Sequence, residues 1–187
     1  MREDVDDISD VVVSSEKMNA VQPQVSIADA FRCSMRNLAA SVCVVTSGTG
    51  EDASGFTATS VVSLSVDTPA LMVSLNRNSA SWSLVQASRK FVVNILSRDH
   101  KDIAETFAGR RGLNGRDRYI DPSWLRIDGS VPRLRGALAV IECDLEEAIQ
   151  RYSHAILIGK VTGVGCDQML QPLVYWQGGY GSTSNLI

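Results

Sequence analysis

The side chains of this 187-residue chain that could do chemistry are mostly short and uncharged. In the stretch GFTATSVVSLS, residues 55–65, the period of a β-strand places several hydroxyl groups on one face. These are Thr57, Thr59, Ser63 and Ser65. Two further polar groups follow apolar runs, the corner NRNSAS at 76–81 and the pair Asn94 and Ser97. A surface strand usually carries Lys or Glu on its wet side, so this neutral lining requires an explanation.

Two kinds of ligand suit such a set of donors. Backbone N–H groups at the start of a helix, flanked by hydroxyls and an arginine, suit a phosphate. Short hydroxyls and open backbone beside an apolar floor suit a large planar heteroaromatic ring with donors and acceptors on its edge. The alternative is a barrel surface rich in Ser and Thr that binds no ligand.

Several common catalytic motifs are absent from the sequence. It contains no G-x-S-x-G elbow, no G-x-x-x-x-G-K-[ST] loop, no H-E-x-x-H motif and no G-x-G-x-x-G after a strand. The four cysteines form no C-x-x-C pair, and only His100 and His154 could assist them, so we expect buried thiols and no metal site. If the chain is an enzyme, something other than a side-chain nucleophile or a metal carries the reaction.

Composition is that of an ordinary globular protein, with 44% apolar and 21% charged residues, and the length suits one domain. In residues 1–25, Arg2 and Lys17 stand against six acidic residues, a net charge of −4, which predicts a flexible acidic tail before a domain at 26–187. Of the total charge of −3, about +1 is then left for that domain, which argues against nucleic-acid binding. The sequence shows no membrane span and no secretory signal, so a cytoplasmic location is predicted.

Hydrophobic periodicity and turn residues predict a mostly β protein with short helices. Helices are expected at 27–39, 81–87 and 97–107. Strands are expected at 42–46, 55–65, 70–75, 91–96, 137–145, 154–164 and 173–176, the first two as a hairpin. Residues 109–119 carry four arginines among glycines and predict a mobile basic loop. Many strands interrupted by only short helices indicate a β-barrel with helical decoration.

The chain resembles the flavin reductase family over roughly residues 27–182, in the motifs VCVVTS, GFTATSVVSLSVDTPALMVSLNRNSASW, FVVNILS and PLVYWQGGYG. The resemblance implies an FMN-binding split β-barrel and a homodimer. It also implies an NAD(P)H:flavin oxidoreductase that transfers a hydride from NADH or NADPH to FMN or FAD and supplies reduced flavin to a partner monooxygenase. A flavin-binding electron-transfer protein, or a reductase of ferric iron or a cobalt corrinoid, is the alternative on the same fold.

The resemblance further implies which residues form the site. The segment expected to meet the edge of the flavin ring comprises Thr57, Ala58, Thr59 and Ser60. The corner expected to hold the ribityl and phosphate groups comprises Asn76, Arg77, Ser79 and Ser81. The strand end expected to border the flavin comprises Asn94, Leu96 and Ser97. His154 is expected as the catalytic residue that also contacts the cofactor, and Tyr180 as an aromatic neighbour of the nicotinamide.

One departure from the family concerns the triplet that contains this histidine. The family has Gly-Asp-His, whereas this chain has Tyr152-Ser153-His154. The histidine is kept, but the carboxylate that would orient it is lost. Without the resemblance, a histidine at the head of a strand is more often a partly buried structural residue, so both interpretations stand at this point.

Overall fold

The computed structural model describes residues 26–127, 129–166 and 170–183. The acidic segment 1–25 lies outside the described residues, so the predicted tail stays a prediction. The chain divides into two units between Met35 and Arg36. In the first, helix α1 (Ile27–Met35) begins at Ser26, whose hydroxyl oxygen accepts a hydrogen bond from the Asp29 N–H at 3.1 Å. The helix ends earlier than the predicted residue 39.

Strands dominate the second unit, which confirms the mostly β fold with short helices. The strands are β1 (Ala40–Ser41), β2 (Cys43–Ser47), β3 (Ser54–Ala58), β4 (Val62–Ser65), β5 (Ala70–Asn76), β6 (Lys90–Ile95), β7 (Trp124–Leu125), β8 (Arg133–Leu134), β9 (Ala139–Arg151), β10 (His154–Cys166), β11 (Leu173–Trp176) and β12 (Gly179–Ser182). The helices are α2 (Ser81–Ser88) and α3 (Lys101–Phe107), with 3₁₀ turns at Gly50–Asp52, Arg98–His100 and Gly115–Tyr119.

Seven antiparallel strands form the main sheet, in the order β3-β2-β6-β9-β10-β5-β4. Its two edge strands, β3 and β4, are consecutive in the chain and only residues 59–61 separate them. Because three residues reach little more than 10 Å, the sheet must curl until its edges approach each other. The Ser60 hydroxyl spans the gap, accepting from the Ser74 N–H at 3.2 Å and lying 3.3 Å from the Ser74 carbonyl oxygen on β5.

The prediction of one continuous strand over 55–65 is therefore wrong. Its first half pairs with β2, as the predicted hairpin requires, and its second half pairs with β5 on the opposite edge of the sheet. Thr57 and Ser63 do not share a strand face, because the chain leaves one edge of the sheet and joins the other between them.

Two apolar clusters form the core. The first lies among β2, β5, β6, β9 and β10 of the main sheet, and the second packs α3 and β11 against that sheet. Phe107, Tyr119 and Trp124 meet there with ring centroids 5.0 to 5.2 Å apart. Tyr119 is buried and its hydroxyl donates to the Ser54 carbonyl at 2.7 Å. Part of the predicted mobile loop at 109–119 is thus a 3₁₀ turn fixed by a buried aromatic residue.

All four cysteines are free thiols, of which two are buried and two are exposed. Cys43 and Cys143 are 2% exposed, as predicted, and burial raises the pKa of each thiol to about 12. Cys33 and Cys166 are exposed, so the prediction of burial is wrong for them. Within the described ranges no group of three potential ligands could hold a metal ion. None of the described helices is long and apolar enough to cross a membrane.

Gly159 on β10 provides a test of how tightly the sheet closes over its core. A Cβ at this position would lie 2.9 Å from Phe91 Cε1 and 3.0 Å from Cys143 Cβ, which is closer than normal contact. We expect Gly159→Ala to lower the free energy of unfolding by about 1 to 3 kcal/mol, because a core without space must shift to accept the methyl group. Denaturant unfolding measures this change in the free energy of unfolding.

The matched control is Gly165→Ala on the same strand, where a Cβ meets nothing within 4 Å. It should change stability little. Equal effects of the two substitutions would contradict this account of the core.

Candidate functional site

An open groove of roughly 330 Å³ lies where β3 ends, between that strand end, β5 and the start of β10. We call it the β3 groove. Its lining residues are Phe56, Thr57, Ala58, Thr59, Ser60, Ser74, Leu75, Asn76, Ser79 and His154. Seven of these are residues that the sequence predicts for the site: Thr57, Ala58, Thr59, Ser60, Asn76, Ser79 and His154. Residues separated by almost a hundred positions in the chain thus come together.

Strand register explains how the two distant segments meet. β10 pairs with β5 so that His154 stands opposite Asn76, the last residue of its strand. The chain between Ala58 and Val62 belongs to no strand, so its backbone groups at 59–61 lie outside the ladders. The groove is therefore lined by backbone that the sheet does not use and by side chains at strand ends.

The corner after β5 is a compact turn fixed by its own polar groups. The Asn76 side-chain oxygen accepts from the Asn78 N–H at 2.9 Å, and the Asn76 carbonyl accepts from the Ser79 N–H at 3.0 Å. The Ser79 hydroxyl oxygen accepts from the Ser81 N–H at 3.2 Å, at the start of α2. Ser79 thus borders the groove and bonds to the first residue of α2.

His154 lies exposed at the rim, with its Nδ1 2.8 Å from the Ser153 hydroxyl oxygen. Ser153 therefore contacts the ring from the position where the resemblance implies an acid. The Arg77 N–H donates to the Ser153 carbonyl at 2.9 Å, and its guanidinium donates to the Tyr152 carbonyl at 3.2 Å. These bonds hold the tip of the β9–β10 hairpin against the corner that follows β5.

Some hydroxyls predicted as ligand donors already bond within the protein. The Thr57 hydroxyl donates to the Ala104 carbonyl on α3 at 2.7 Å, and Ser60 bonds to β5. Ser81 is 1% exposed and pairs with the Ser54 hydroxyl at 3.0 Å, away from the groove lining. Thr57 and Ser60 thus line the groove with hydroxyls that already have protein partners, and Ser81 is buried outside the lining.

The strand end at 94–97 is not brought into the groove. Asn94 is fully buried, donates to the Val44 carbonyl at 3.0 Å and accepts from the Leu134 N–H at 2.8 Å. Leu96 is fully buried in the second apolar cluster. Ser97 is 3% exposed, and its hydroxyl lies 3.1 Å from His100 Nδ1. These three residues hold the fold together rather than lining the groove.

Tyr180 lies in a different cavity, beside Arg98, Lys101 and Leu173. Its ring meets Tyr175 edge-on at 5.2 Å between centroids, and the Arg110 guanidinium lies 5.5 Å from the centre of the Tyr180 ring. Partial burial raises the pKa of the Tyr180 hydroxyl, while the charge on Arg110 opposes that rise. The structure does not bring Tyr180 together with His154.

Sequence reasoning missed three residues that line the groove, Phe56, Ser74 and Leu75. The signal for Ser74 was present: it interrupts an apolar strand and shares a strand face with Asn76. Phe56 provides partly exposed apolar surface beneath the polar rim, whereas Leu75 is only 1% exposed and belongs to the core. The lining contains no carboxylate, and its neutral donors and apolar floor suit the edge and face of a planar heteroaromatic ring.

Comparison with known proteins gives a consistent picture. Residues 35–184 match the family described as "Flavin reductase like domain". The chain is 30% identical over 155 residues to the FMN reductase (NADH) RutF of Cronobacter sakazakii, covering 83% of this chain and 92% of that one. It is 30% identical over 169 residues to the reductase component of the FADH(2)-dependent resorcinol hydroxylase of a Rhizobium species, covering 89% and 93%.

Among solved structures, the chain is similar to BorF, the flavin reductase component of a bacterial two-component tryptophan halogenase. The TM-score is 0.77 at 28% identity, over 85% of this chain and 99% of that one. The split β-barrel expected from the sequence is thereby confirmed.

Asn94 offers a test of the distinction between lining and supporting residues. We expect Asn94→Ala to lower the free energy of unfolding by about 1 to 3 kcal/mol, because the buried Leu134 N–H loses its acceptor and the Val44 carbonyl loses the bond from the amide side chain. Urea unfolding gives the value, with Asn114→Ala at an exposed turn as the control. A loss of ligand affinity at unchanged stability would instead place Asn94 in the binding site.

Proposed function

The chain belongs to the flavin reductase-like family, and we infer from this that it is an NAD(P)H-dependent flavin reductase whose flavin lies in the β3 groove. It transfers a hydride from NADH or NADPH to FMN or FAD and supplies the reduced flavin to a partner monooxygenase. The observation that carries the placement is the composition of the groove. Neutral donors stand along its edge, the partly exposed Phe56 provides apolar surface, and the lining has no carboxylate.

The free backbone at 59–61 meets the polar edge of the flavin ring. These N–H and C=O groups lie outside the strand ladders, and the bonds from Ser60 to Ser74 hold them in place. Ala58 borders the groove at the strand end, and because its side chain is buried in the core it contributes mainly through its backbone. The site therefore supplies a fixed edge that needs little reorganisation when a ring binds.

The corner after β5 holds the ribityl and phosphate end of the flavin. Asn76 and Ser79 border the groove, and Arg77 follows Asn76 with an exposed side chain that adds positive charge. A phosphate gains from such charge and from hydroxyl donors. Ser81, predicted for this role, acts through the Ser79 turn, since its own hydroxyl is buried against Ser54.

Bound flavin supplies the ring atom that accepts the hydride, so the protein contributes position and electrostatics. Neutral donors favour the negative charge that the ring gains on reduction, and a carboxylate in the lining would oppose it. His154 at the rim orients the nicotinamide, and its own ring is held by the Ser153 hydroxyl. This division of labour explains why the chain needs no nucleophile or metal for the reaction.

The enzyme acts as a homodimer in the cytoplasm, in this proposal. Val62 on the edge strand β4, Met72 on β5 and Ile158 on β10 are cross-strand neighbours on the outer face of the sheet. Val62 is 54% exposed, and Leu64 and Ile156 add further exposed apolar surface. An apolar face of this kind supports burial against a second copy. The free thiols Cys33 and Cys166 on the surface support a reducing compartment.

The activity can be tested with purified protein and the four combinations of NADH or NADPH with FMN or FAD. We expect the near-ultraviolet absorbance of the reduced nicotinamide to fall in at least one combination, and the comparison identifies the preferred pair. No oxidation in any of the four would overturn the proposed activity.

His154→Ala tests the orientation of the nicotinamide. We expect a rise of about tenfold in KM for the nicotinamide, or an equal fall in kcat, with flavin affinity nearly unchanged, because the exposed ring lies at the rim, where the nicotinamide enters, and adds little to flavin binding. Steady-state kinetics and flavin titration give the two readings. His100→Ala, the same substitution at the other described histidine, should leave both readings unaltered. A collapse of flavin affinity in His154→Ala would place this residue in the flavin site instead.

A further inference from the structure

Tyr152 has an unusual backbone conformation at the tip of the β9–β10 hairpin. Arg151 pairs with His154, so Tyr152 and Ser153 form a two-residue loop. The φ angle of Tyr152 is 51°, in the left-handed region that disfavours a residue with a Cβ. The first position of such a loop usually holds Gly, Asn or Asp. A bulky aromatic residue therefore replaces the residue that the turn prefers.

Contacts within the folded chain do not explain the aromatic ring. Tyr152 is 98% exposed, so its side chain buries almost nothing. The backbone of the tip is nevertheless fixed, because Arg77 donates to the carbonyls of both Tyr152 and Ser153. The left-handed turn thus presents an exposed aromatic side chain close to the β3 groove, two residues from His154. Residues held in this conformation cluster at active sites and ligand-binding sites, which makes Tyr152 a candidate for such a role.

The surroundings of the ring indicate what it binds. Arg77 and Arg151 are exposed beside it, and the segment 148–158 contains no acidic residue. An aromatic face with nearby arginines suits a base joined to a pyrophosphate. Only Ser153 separates Tyr152 from His154 at the hairpin tip, so a dinucleotide whose nicotinamide lies against His154 can bring its other half to Tyr152.

We propose that the ring of Tyr152 stacks on the adenine of a dinucleotide substrate, with Arg77 and Arg151 beside its pyrophosphate. The proposal rests on the reductase function inferred above and assigns to it a specificity-determining residue. Adenine is common to NAD(P)H and FAD and absent from FMN and from reduced nicotinamide mononucleotide. Comparing each dinucleotide with its counterpart that lacks adenine therefore shows whether the stacked adenine belongs to NAD(P)H or to FAD.

The test replaces Tyr152 by Gly and by Phe in the full chain. With FMN as acceptor, we expect Tyr152→Gly to raise the ratio of KM for NADH to KM for reduced nicotinamide mononucleotide roughly 5- to 10-fold, if the adenine belongs to NADH. If it belongs to FAD, the ratio of KM for FAD to KM for FMN rises by the same factor instead. Tyr152→Phe keeps the stacking face and should stay within about twofold of the wild type.

The thermal unfolding midpoint distinguishes a binding role from a structural one. Replacing a residue that only supports the fold would lower the midpoint. Glycine relieves the left-handed strain, so Tyr152→Gly should keep or raise the thermal unfolding midpoint while binding weakens. Gln177→Gly is the matched control. Gln177 has φ 48° in the two-residue loop between β11 and β12, and it does not line the groove. Its replacement should affect the midpoint in the same direction and leave both KM ratios unchanged.

Unchanged KM ratios in Tyr152→Gly would overturn the proposal while leaving the reductase function standing. A change from dimer to monomer in sedimentation velocity would also overturn it, since the ring would then pack against a second copy. If the wild type oxidises neither nicotinamide, the reductase function fails separately. Calorimetric titration of NAD and FAD into wild type and Tyr152→Gly still decides the stacking, and equal affinities would refute it.

Discussion

The three-residue link between β3 and β4 is the constraint on which the site depends. It joins the two edges of a seven-stranded sheet, so the sheet has to curl and the chain has to leave one ladder before it enters the other. The backbone in that link has no ladder partner, and Ser60 secures it to Ser74. The groove is a direct result of this closure: polar backbone borders it where the strands separate, and the partly exposed Phe56 of β3 lies beneath.

A second connection ties the groove to the long β9–β10 hairpin. Arg77 bonds to two consecutive carbonyls at the hairpin tip, through its backbone N–H and its guanidinium. These bonds attach the corner after β5 to the hairpin that carries His154, although most of the chain between them forms other strands. Ser153 replaces the missing carboxylate beside His154 with a neutral hydroxyl, which keeps the rim as free of negative charge as the lining.

The sequence predicts much of this architecture because strand periodicity and turn residues are local signals. The hairpin of β2 and β3, the apolar strand β5 and the capping of α1 by Ser26 all follow from neighbouring residues. The break at 59–61 does not, because both halves alternate correctly and only the closure of the sheet separates them. Asn94 shows the same limit for the site. Its side chain is an ordinary donor and acceptor in sequence, and its burial between Val44 and Leu134 arises from residues 50 and 40 positions away.

The burial of Cys43 and Cys143 affects how the protein withstands oxidation caused by its own product. Reduced flavin that meets oxygen yields hydrogen peroxide, and peroxide oxidises thiolates rather than thiols. With a pKa of about 12, Cys43 and Cys143 are almost entirely protonated at neutral pH, and the sheet also shields them from solvent. Oxidative damage should therefore fall first on the surface, at Cys33 and Cys166, where a sulfenic acid leaves the barrel core intact.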